Sequence, residues 1–578
     1  MTPDADDQPR GPAPAALMPA RLRALLQALR GDLAVLVVLT VLTLAVAHPA
    51  ALQPGSRVIG WPGDNLQHVY AVGWMAQAAL LGRSPFIDPR LNFPDGLQLM
   101  TTDLAYLSNL VVAPATWLFG PVFGYNLIIL ASLLLSGYIA YRWVLQLTAS
   151  RAGGLVAGAA FLLAPYRIAH AYGHLQLVVT FPLPLYFWAL DGALRARRVS
   201  SWHQARLAAA ALLLSATSQY YLVIGLVGAL AYGSLSLPVL DWRAGMRRGA
   251  AAALTSGMGA LLGALPYLAA LSSRSFTPYP IAATRVWSAD PLNFLLPAPY
   301  HPLWGQLVAA VRPEPYWIEK GLYVGIVALV LASYALVAGR ATLHGRAAPW
   351  AATALVGLIF ALGTDVHRAN VPLSADAPIW LPAYYLGHLP GLSLMRVWAR
   401  FGVLTILFVA LLAGAGAAAL VRRTGPRAAP VGVTLLLLIV LDMAPGRLPS
   451  ALIGPRPADR WLAAQPAGSV AAALPAGDDG VNYRVLLGSL YHGQPMPAFM
   501  HPAHVPPAYR RFAQAAEGFP APESQAALRS LGLRYLVLEQ DRFDGVRAPA
   551  WPTVRAGLEA AGLAVVAELD GVTIVALP

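Results

Sequence analysis

The sequence predicts an all-α polytopic membrane protein of about eleven transmembrane helices with a small α/β domain behind them. Three observations carry that prediction. From residue 32 to residue 446, segments of roughly 17–25 apolar residues recur, the length a helix needs to cross a hydrocarbon core of about 30 Å. The arginines gather in alternate connections: Arg142/Arg151, Arg195/Arg197/Arg198, Arg243/Arg247/Arg248, Arg340/Arg346 and Arg422/Arg423/Arg427. The acids fall in the connections between them: Asp64, Asp88, Asp95, Asp103, Asp290, Glu314, Glu319, Asp365 and Asp376. Cytoplasmic loops carry the positive excess, so the arginine clusters face the cytoplasm and the acidic loops face outward.

Composition agrees. Of 578 residues 57% are hydrophobic and 12% charged, about half the charged fraction of a soluble domain. The net charge of +13 would suit a nucleic acid, but it sits in the loops flanking apolar segments, and the region after residue 455 is close to neutral. The charge is topological, with some attraction to anionic lipid headgroups, and implies no nucleic-acid partner. Lys320 is the sole lysine. Cysteine is absent, which excludes disulfides, thiol catalysis and thiolate metal sites.

The elements follow in order. Residues 1–31 are rich in Pro and Ala and read as a cytoplasmic tail ending in a short amphipathic helix of Leu22, Leu25, Leu26 and Leu29. The first span, 32–50, leads outward into a long polar loop, 51–121. Within it, 105–121 is short and broken by Pro, and counting it as a span would invert every later loop. It reads as a juxtamembrane or re-entrant helix. Spans at 122–146, 152–165, 175–194, 204–217, 219–238, 249–271, 318–339, 348–363, 398–420 and 429–446 complete the set, with outer loops at 272–317 and 364–397. In 447–578 the segments 460–475, 528–540 and 558–577 read as helix–strand, helix–strand and helix–hairpin. The transmembrane part is therefore 32–446. The odd number of spans from a cytoplasmic N-terminus puts 447–578 outside the cytoplasmic membrane.

Candidate chemistry lies in the outer loops. In Trp61-Pro62-Gly63-Asp64-Asn65-Leu66-Gln67-His68, Asp64 follows a glycine turn at a helix start. It is either an N-cap carboxylate or a general base at the membrane surface, with Trp61 and Trp74 as interfacial or sugar-stacking aromatics. Asp88 and Asp95 sit in Pro-rich turns, and Asp103 could cap the helix at 105–121. His170 and His174, spaced i,i+4, would suit two metal ligands on one helical face, or belong to a polar interfacial loop. The loop 272–317 holds Asp290, Trp287 and His301. Glu319, Lys320 and Tyr323 follow at the next outer mouth, where a Glu–Lys pair near hydrocarbon points to function. Arg396 and Arg400 are four residues apart. On a helix they would share a face and either hold an anionic phosphate or snorkel to headgroups.

An acidic residue in the first outer loop, a surface helix, many spans and a C-terminal outer part resemble the GT-C superfamily of membrane glycosyltransferases. The stretch Leu118-Phe119-Gly120 to Tyr141-Arg142, then Arg151 and Ala164-Pro165, is similar to the corresponding stretch of that superfamily. The resemblance covers roughly residues 32–420. Tyr491-His492-Gly493 and Leu531-Gly532-Leu533-Arg534-Tyr535 resemble segments of bacterial membrane proteins of this type. It implies a hexosyl- or pentosyltransferase that takes sugar from a polyprenyl-phosphate donor, within membrane lipid, to a glycan or protein acceptor. Asp64 matches the catalytic carboxylate by position. Several members carry an adjacent Asp-Glu or Asp-x-Asp pair; here Asn65 and Leu66 follow, so a divalent cofactor, Mg or Mn, has no assigned ligand set. The implied transfer is inverting: Asp64 takes the proton of an acceptor hydroxyl, Arg396 and Arg400 stabilise the leaving lipid phosphate, and Trp61 and Trp287 orient the sugar. Asp103, His170, His174, Asp290, His301, Glu319, Lys320 and Tyr323 are candidate donor or acceptor contacts. A lipid-linked glycan flippase and a non-catalytic envelope assembly protein are the alternatives.

Overall fold

The computed structural model describes residues 20–237, 242–273, 279–369, 371–374, 377–389 and 391–578. Residues 1–19 of the predicted tail and Asp376 lie outside the described residues, and residues 20–31 run directly into the helix Ala20–Val46. The chain is mostly helical, and each apolar segment of the sequence holds a helix. They include Pro121–Thr148, Arg151–Leu162, Pro182–Arg195, Ser201–Thr217, Gln219–Ser236, Trp242–Ala269, Ile326–Val337, Ala347–Ala361, Gly402–Arg423 and Ala428–Asp442. Among the described residues six helical stretches are long and apolar enough to cross a bilayer, and three shorter apolar helices accompany them. This is a multi-pass membrane protein. The stretch 105–121 forms two helices, Tyr106–Val111 and Ala113–Phe119, of 6 and 7 residues; neither alone covers a bilayer core, which needs about 20 residues.

Gly402–Arg423 is the central helix. It is apolar on every side and buried from Gly402 to Ala419, as expected for a helix with no solvated face. Where it meets the helix Arg151–Leu162 the backbones nearly touch, and a Cβ added to Gly153 would lie 2.5 Å from the Gly414 carbonyl oxygen. Small residues permit such contact, and within lipid that close packing is what holds helices together. Large aromatics fill the other side. Trp143 meets Trp350 edge-on at 5.3 Å, and Phe187 meets Phe408 at 5.1 Å.

The arginine-bearing connections converge at one end of the bundle. Arg422 donates to the Thr148 carbonyl at 3.1 Å, Arg195 to that of Gly345 at 3.1 Å and Arg248 to that of Ala196 at 2.7 Å. Buried Asp191 takes both Arg195 and Arg346, at 2.8 and 2.7 Å, and Arg142 pairs with Asp32.

At the opposite end, the strand Arg57–Ile59 pairs antiparallel with Ser450–Leu452. Beyond it, four strands form one mixed sheet in the order Ala471–Leu474, Tyr535–Glu539, Val572–Ala576, Ala564–Leu569. The first pair is parallel and the others antiparallel. Glu539, the last residue of its strand, is buried and paired at 2.6 Å with both Arg456 and Arg484. The helix Asp479–His492 packs against Asp64–Leu80, so the C-terminal part lies on the connection 51–121. Asp88, expected to form a turn, accepts the Arg90 amide at 3.0 Å and is also fully buried there. It accepts the Tyr70 hydroxyl at 3.0 Å and both guanidinium edges of Arg90.

Candidate active site

The turn before Asp64 is shaped by close backbone contact. Gly60 has φ +100°, and a Cβ there would lie 2.6 Å from the Tyr172 carbonyl oxygen. The Trp61 amide donates to that same carbonyl at 3.0 Å. Asn65 closes the turn, accepting from the Gly63 amide at 3.1 Å and donating to the Ile59 carbonyl at 3.2 Å. The helix Asp64–Leu80 has Gly63 as its N-cap and no side-chain cap. Asp64 is therefore not the capping residue. Its carboxylate, half exposed, accepts the Tyr483 hydroxyl at 2.9 Å and lies 3.7 Å from His174 Nε2.

A second group of charges lies beside it. His170, fully buried at the end of the short helix Pro165–His170, has its Nδ1 3.2 Å from Nδ1 of His174. Its Nε2 is 3.7 Å from Glu319. Glu319 in turn receives Arg400 through both guanidinium edges, at 3.0 and 2.6 Å, and Arg400 stacks 4.3 Å above Tyr220. The expected Glu319–Lys320 pair is thus split, since Lys320 turns the other way to Glu314 at 3.6 Å. Met395, Arg396 and Val397 are not helical, so Arg396 and Arg400 do not share a helical face. Arg396 lies over Trp287 at 5.1 Å and Tyr279 at 5.5 Å. Among the described residues no carboxylate pairs with it.

These groups enclose one cavity of about 750 Å³, whose walls carry Asp64, Asp103, His174, Glu319, Arg396 and Arg400. Residues far apart in the chain meet here. Trp287 and Tyr220 also line it, as do Gln67, His68, Gln176, His501 and His504. Asp103 caps the helix Gln219–Ser236, accepting the Ser218 hydroxyl at 2.8 Å and the Gln219 amide at 3.3 Å, and not the helix that follows it.

Other expected residues lie elsewhere. Asp290 caps the turn Pro291–Phe294 and pairs with Arg312 at 2.6 Å. His301 accepts the Leu303 and Trp304 amides, each at 3.3 Å. Tyr323 donates to Asp442 at 2.5 Å. Trp61 meets Tyr172 edge-on at 4.9 Å, beside the cavity and outside its walls.

Burial sets the charge state of the histidines outside the spans. The His68 imidazole is pushed down to about 3 by burial, then by His174 and His501. Burial lowers His174 as well, against the pull of Glu319. His501 falls to about 4 by burial, with His504 adding to it. The Tyr483 hydroxyl is raised by burial and by the Asp64 charge, so it keeps its proton and donates. Tyr483, His501 and His504 escaped the sequence reading. Each lies more than four hundred positions from Asp64 and carries no local pattern; only the crowding of His501 and His504 in one short loop was a signal.

Comparison with known proteins adds the following. Residues 35–444 match the model of a family described as "Domain of unknown function (DUF6311)". No curated protein sequence matches the chain. Among solved structures, the oligosaccharyltransferase of Archaeoglobus fulgidus in complex with Zn and sulfate aligns over 90% of this chain and 70% of its own, at 12% identity and a TM-score of 0.50. The mycobacterial arabinofuranosyltransferase AftD aligns over 94% of this chain and 41% of its own, at 16% identity and a TM-score of 0.50. ArnT from Cupriavidus metallidurans aligns over 96% and 98%, at 13% identity and a TM-score of 0.47. At these identities the likeness is one of fold, that of the GT-C membrane proteins.

Proposed function

Since the chain belongs to the DUF6311 family, a domain of unknown function, and has the GT-C fold, we propose that it transfers a sugar from a polyprenyl-phosphate donor to an acceptor hydroxyl. One observation carries this reading: the carboxylate of Asp64 and the guanidinium of Arg396, which pairs with no carboxylate among the described residues, line the same cavity of about 750 Å³. That volume is within the range of ligand pockets, roughly 300–1,000 Å³. The arginine-rich end of the bundle faces the cytoplasm, and the cavity and the C-terminal part face outward, at the outer surface of the cytoplasmic membrane.

The chemistry follows from the charges. Asp64 takes the proton of the acceptor hydroxyl while that oxygen bonds to the anomeric carbon. The bond from that carbon to the phosphate oxygen breaks, with inversion, and its electron pair leaves on the lipid phosphate. Arg396 stabilises the developing charge; such preorganised contacts contribute several kcal/mol, with about 3–4 typical of a single donor. Arg400, engaged by Glu319, adds positive potential from behind. Tyr483 fixes the rotamer of Asp64 from the C-terminal part. A phosphate leaving group needs little acid assistance, so one carboxylate suffices.

The ligand atoms of His170, His174 and Glu319 lie within 4.8 Å of one another and would hold a divalent cation. Two imidazoles suit Zn better than Mg or Mn, which prefer oxygen. A cation there would supply further positive charge beside the phosphate and would compete with Arg400 for Glu319.

Asp64→Asn keeps the shape of the side chain and its place in the first helical turn. Transfer from a labelled polyprenyl-phosphate sugar should fall by roughly 10²–10⁴-fold with little change in melting. Near-normal transfer would remove Asp64 from the mechanism.

A further inference from the structure

Three uncharged residues of the cavity lining take no part in the steps above. These are Gln67 and His68, from the helix Asp64–Leu80, and Gln176, from Leu175–Val178. They are 4%, 2% and 8% exposed. Gln67 Oε1, His68 Nδ1 and Gln176 Oε1 each lack a hydrogen-bond partner. Buried polar atoms are almost always bonded, and the exceptions call for a reason. Three exceptions on the walls of one cavity point to a ligand that supplies the missing partners.

Resting on the glycosyltransferase reading, we propose that Gln67, His68 and Gln176 form the glycosyl subsite, and that it takes an uncharged, hydroxyl-bearing sugar. Hydroxyl groups are the fitting partners, because each can donate to an amide oxygen or an imidazole nitrogen and still accept from a neighbour. A charged sugar fits poorly. An amino sugar would bring an ammonium, and a uronic sugar a carboxylate, against two neutral amides and an imidazole. Burial keeps that imidazole uncharged, with a pKa of about 3. Neither ion meets a countercharge among the three, and a buried unpaired ion is strongly disfavoured. Of the cavity's own charges, Glu319 is paired with Arg400, Asp103 accepts from Ser218 and the Gln219 amide, Asp64 accepts from Tyr483, and Arg396 is taken by the phosphate in the reaction proposed above. The class that remains is a neutral hexosyl or pentosyl group.

The full chain in lipid nanodiscs is titrated with undecaprenyl phosphate alone and with undecaprenyl phosphate bearing glucose, glucuronic acid or 4-amino-4-deoxyarabinose. The glucosyl lipid should bind about tenfold tighter than the bare lipid, the gain of a hydrogen bond or two, and the charged sugars no tighter than the bare lipid. Gln67→Leu with Gln176→Leu should erase the glucosyl advantage and leave bare-lipid binding unchanged, which also reports an intact fold. Gln176→Glu should favour the amino sugar. Equal or tighter binding of either charged sugar by the unmodified protein, or a preference that survives the double variant, overturns the proposal. Failure of the bare lipid to bind counts against the transferase reading alone. Methyl glucopyranoside, methyl glucuronide and a methyl aminoglycoside then test the subsite directly by ligand-detected NMR, where only the neutral glycoside should bind.

Discussion

Cutting the Glu319–Arg400 pair should be costly, and the structure indicates by how much. The two contacts, 3.0 and 2.6 Å, put the charge centres about 4 Å apart, worth about 4 kcal/mol at an effective dielectric of ~20. The side chains are 9% and 6% exposed, so salt screens them little. Removing one partner also strands the other charge in the interior, for which buried pairs show losses of about 3–5 kcal/mol. The two routes agree. Glu319→Gln and Arg400→Gln should each lower stability by about 3–5 kcal/mol. The double variant, with no charge left stranded, should fall well short of the sum. Equilibrium unfolding in detergent micelles of the four proteins gives the cycle directly. If the two losses simply added, the pair would be uncoupled and the reasoning refuted. Were Arg400 instead free to hold the donor phosphate, Arg400→Gln would lose donor binding and leave the unfolding midpoint in place.

Arg396→Gln should weaken undecaprenyl-phosphate binding by about 10–100-fold, the value of one or two charge-assisted hydrogen bonds, with the midpoint unmoved. Unchanged affinity would assign Arg396 to its aromatic neighbours alone. Tyr483→Phe removes the hydroxyl that donates to Asp64 at 2.9 Å; transfer should fall about tenfold at unchanged donor affinity, and an unaltered rate would show that Asp64 orients itself. Stability should also depend on pH through His68. The folded imidazole titrates at about 3 and the ordinary one at 6.5, so above 6.5 neither state binds the proton and stability is level. Between 6.5 and 3 the unfolded chain binds a proton the folded one refuses, and stability falls as the pH falls. Melting followed from pH 8 to about 4.5 should show a shallower acid slope in His68→Gln, and equal slopes would contradict the assignment.

What could be read from the sequence was what depends on neighbours along the chain. The arginine clusters were legible because charge and apolar length are local, and their convergence through Arg422, Arg195 and Arg248 follows from alternate crossing. The helix–strand order of 460–475 and 528–540 was legible for the same reason: β-branched and small apolar runs follow a helical stretch and a glycine. The companions of Asp64 were not. Glu319 and Lys320 are adjacent, yet neighbouring positions on a helix point about 100° apart, and packing sent one to Arg400 and the other to Glu314. The spacing of Arg396 and Arg400 implied a shared face only if the residues between were helical, and Met395–Val397 are not. His170 and His174 do meet, although a turn and not a continuous helix brings them together. Tyr483 reaches Asp64 only because two distant helices pack, and nothing near Tyr483 announces it.

The pairing of Arg57–Ile59 with Ser450–Leu452, and of Asp64 with Tyr483, has a bearing on biogenesis. The two members of the second pair are separated by 419 positions. A ribosome adding about 5–20 residues per second needs about 20–80 s to cover that distance. Throughout that interval the loop 51–121 is already synthesised, while Arg57–Ile59 has no partner strand and Asp64 lacks the Tyr483 hydroxyl. If the chain is the transferase proposed above, Asp64 gains the Tyr483 hydroxyl that orients it only once the C-terminal part has docked. Removal of the C-terminal part by proteolysis between residues 446 and 483 would return a finished molecule to that unpaired state with its membrane helices intact, so the carboxylate of Asp64 is held from a part of the chain that lies outside the helical bundle.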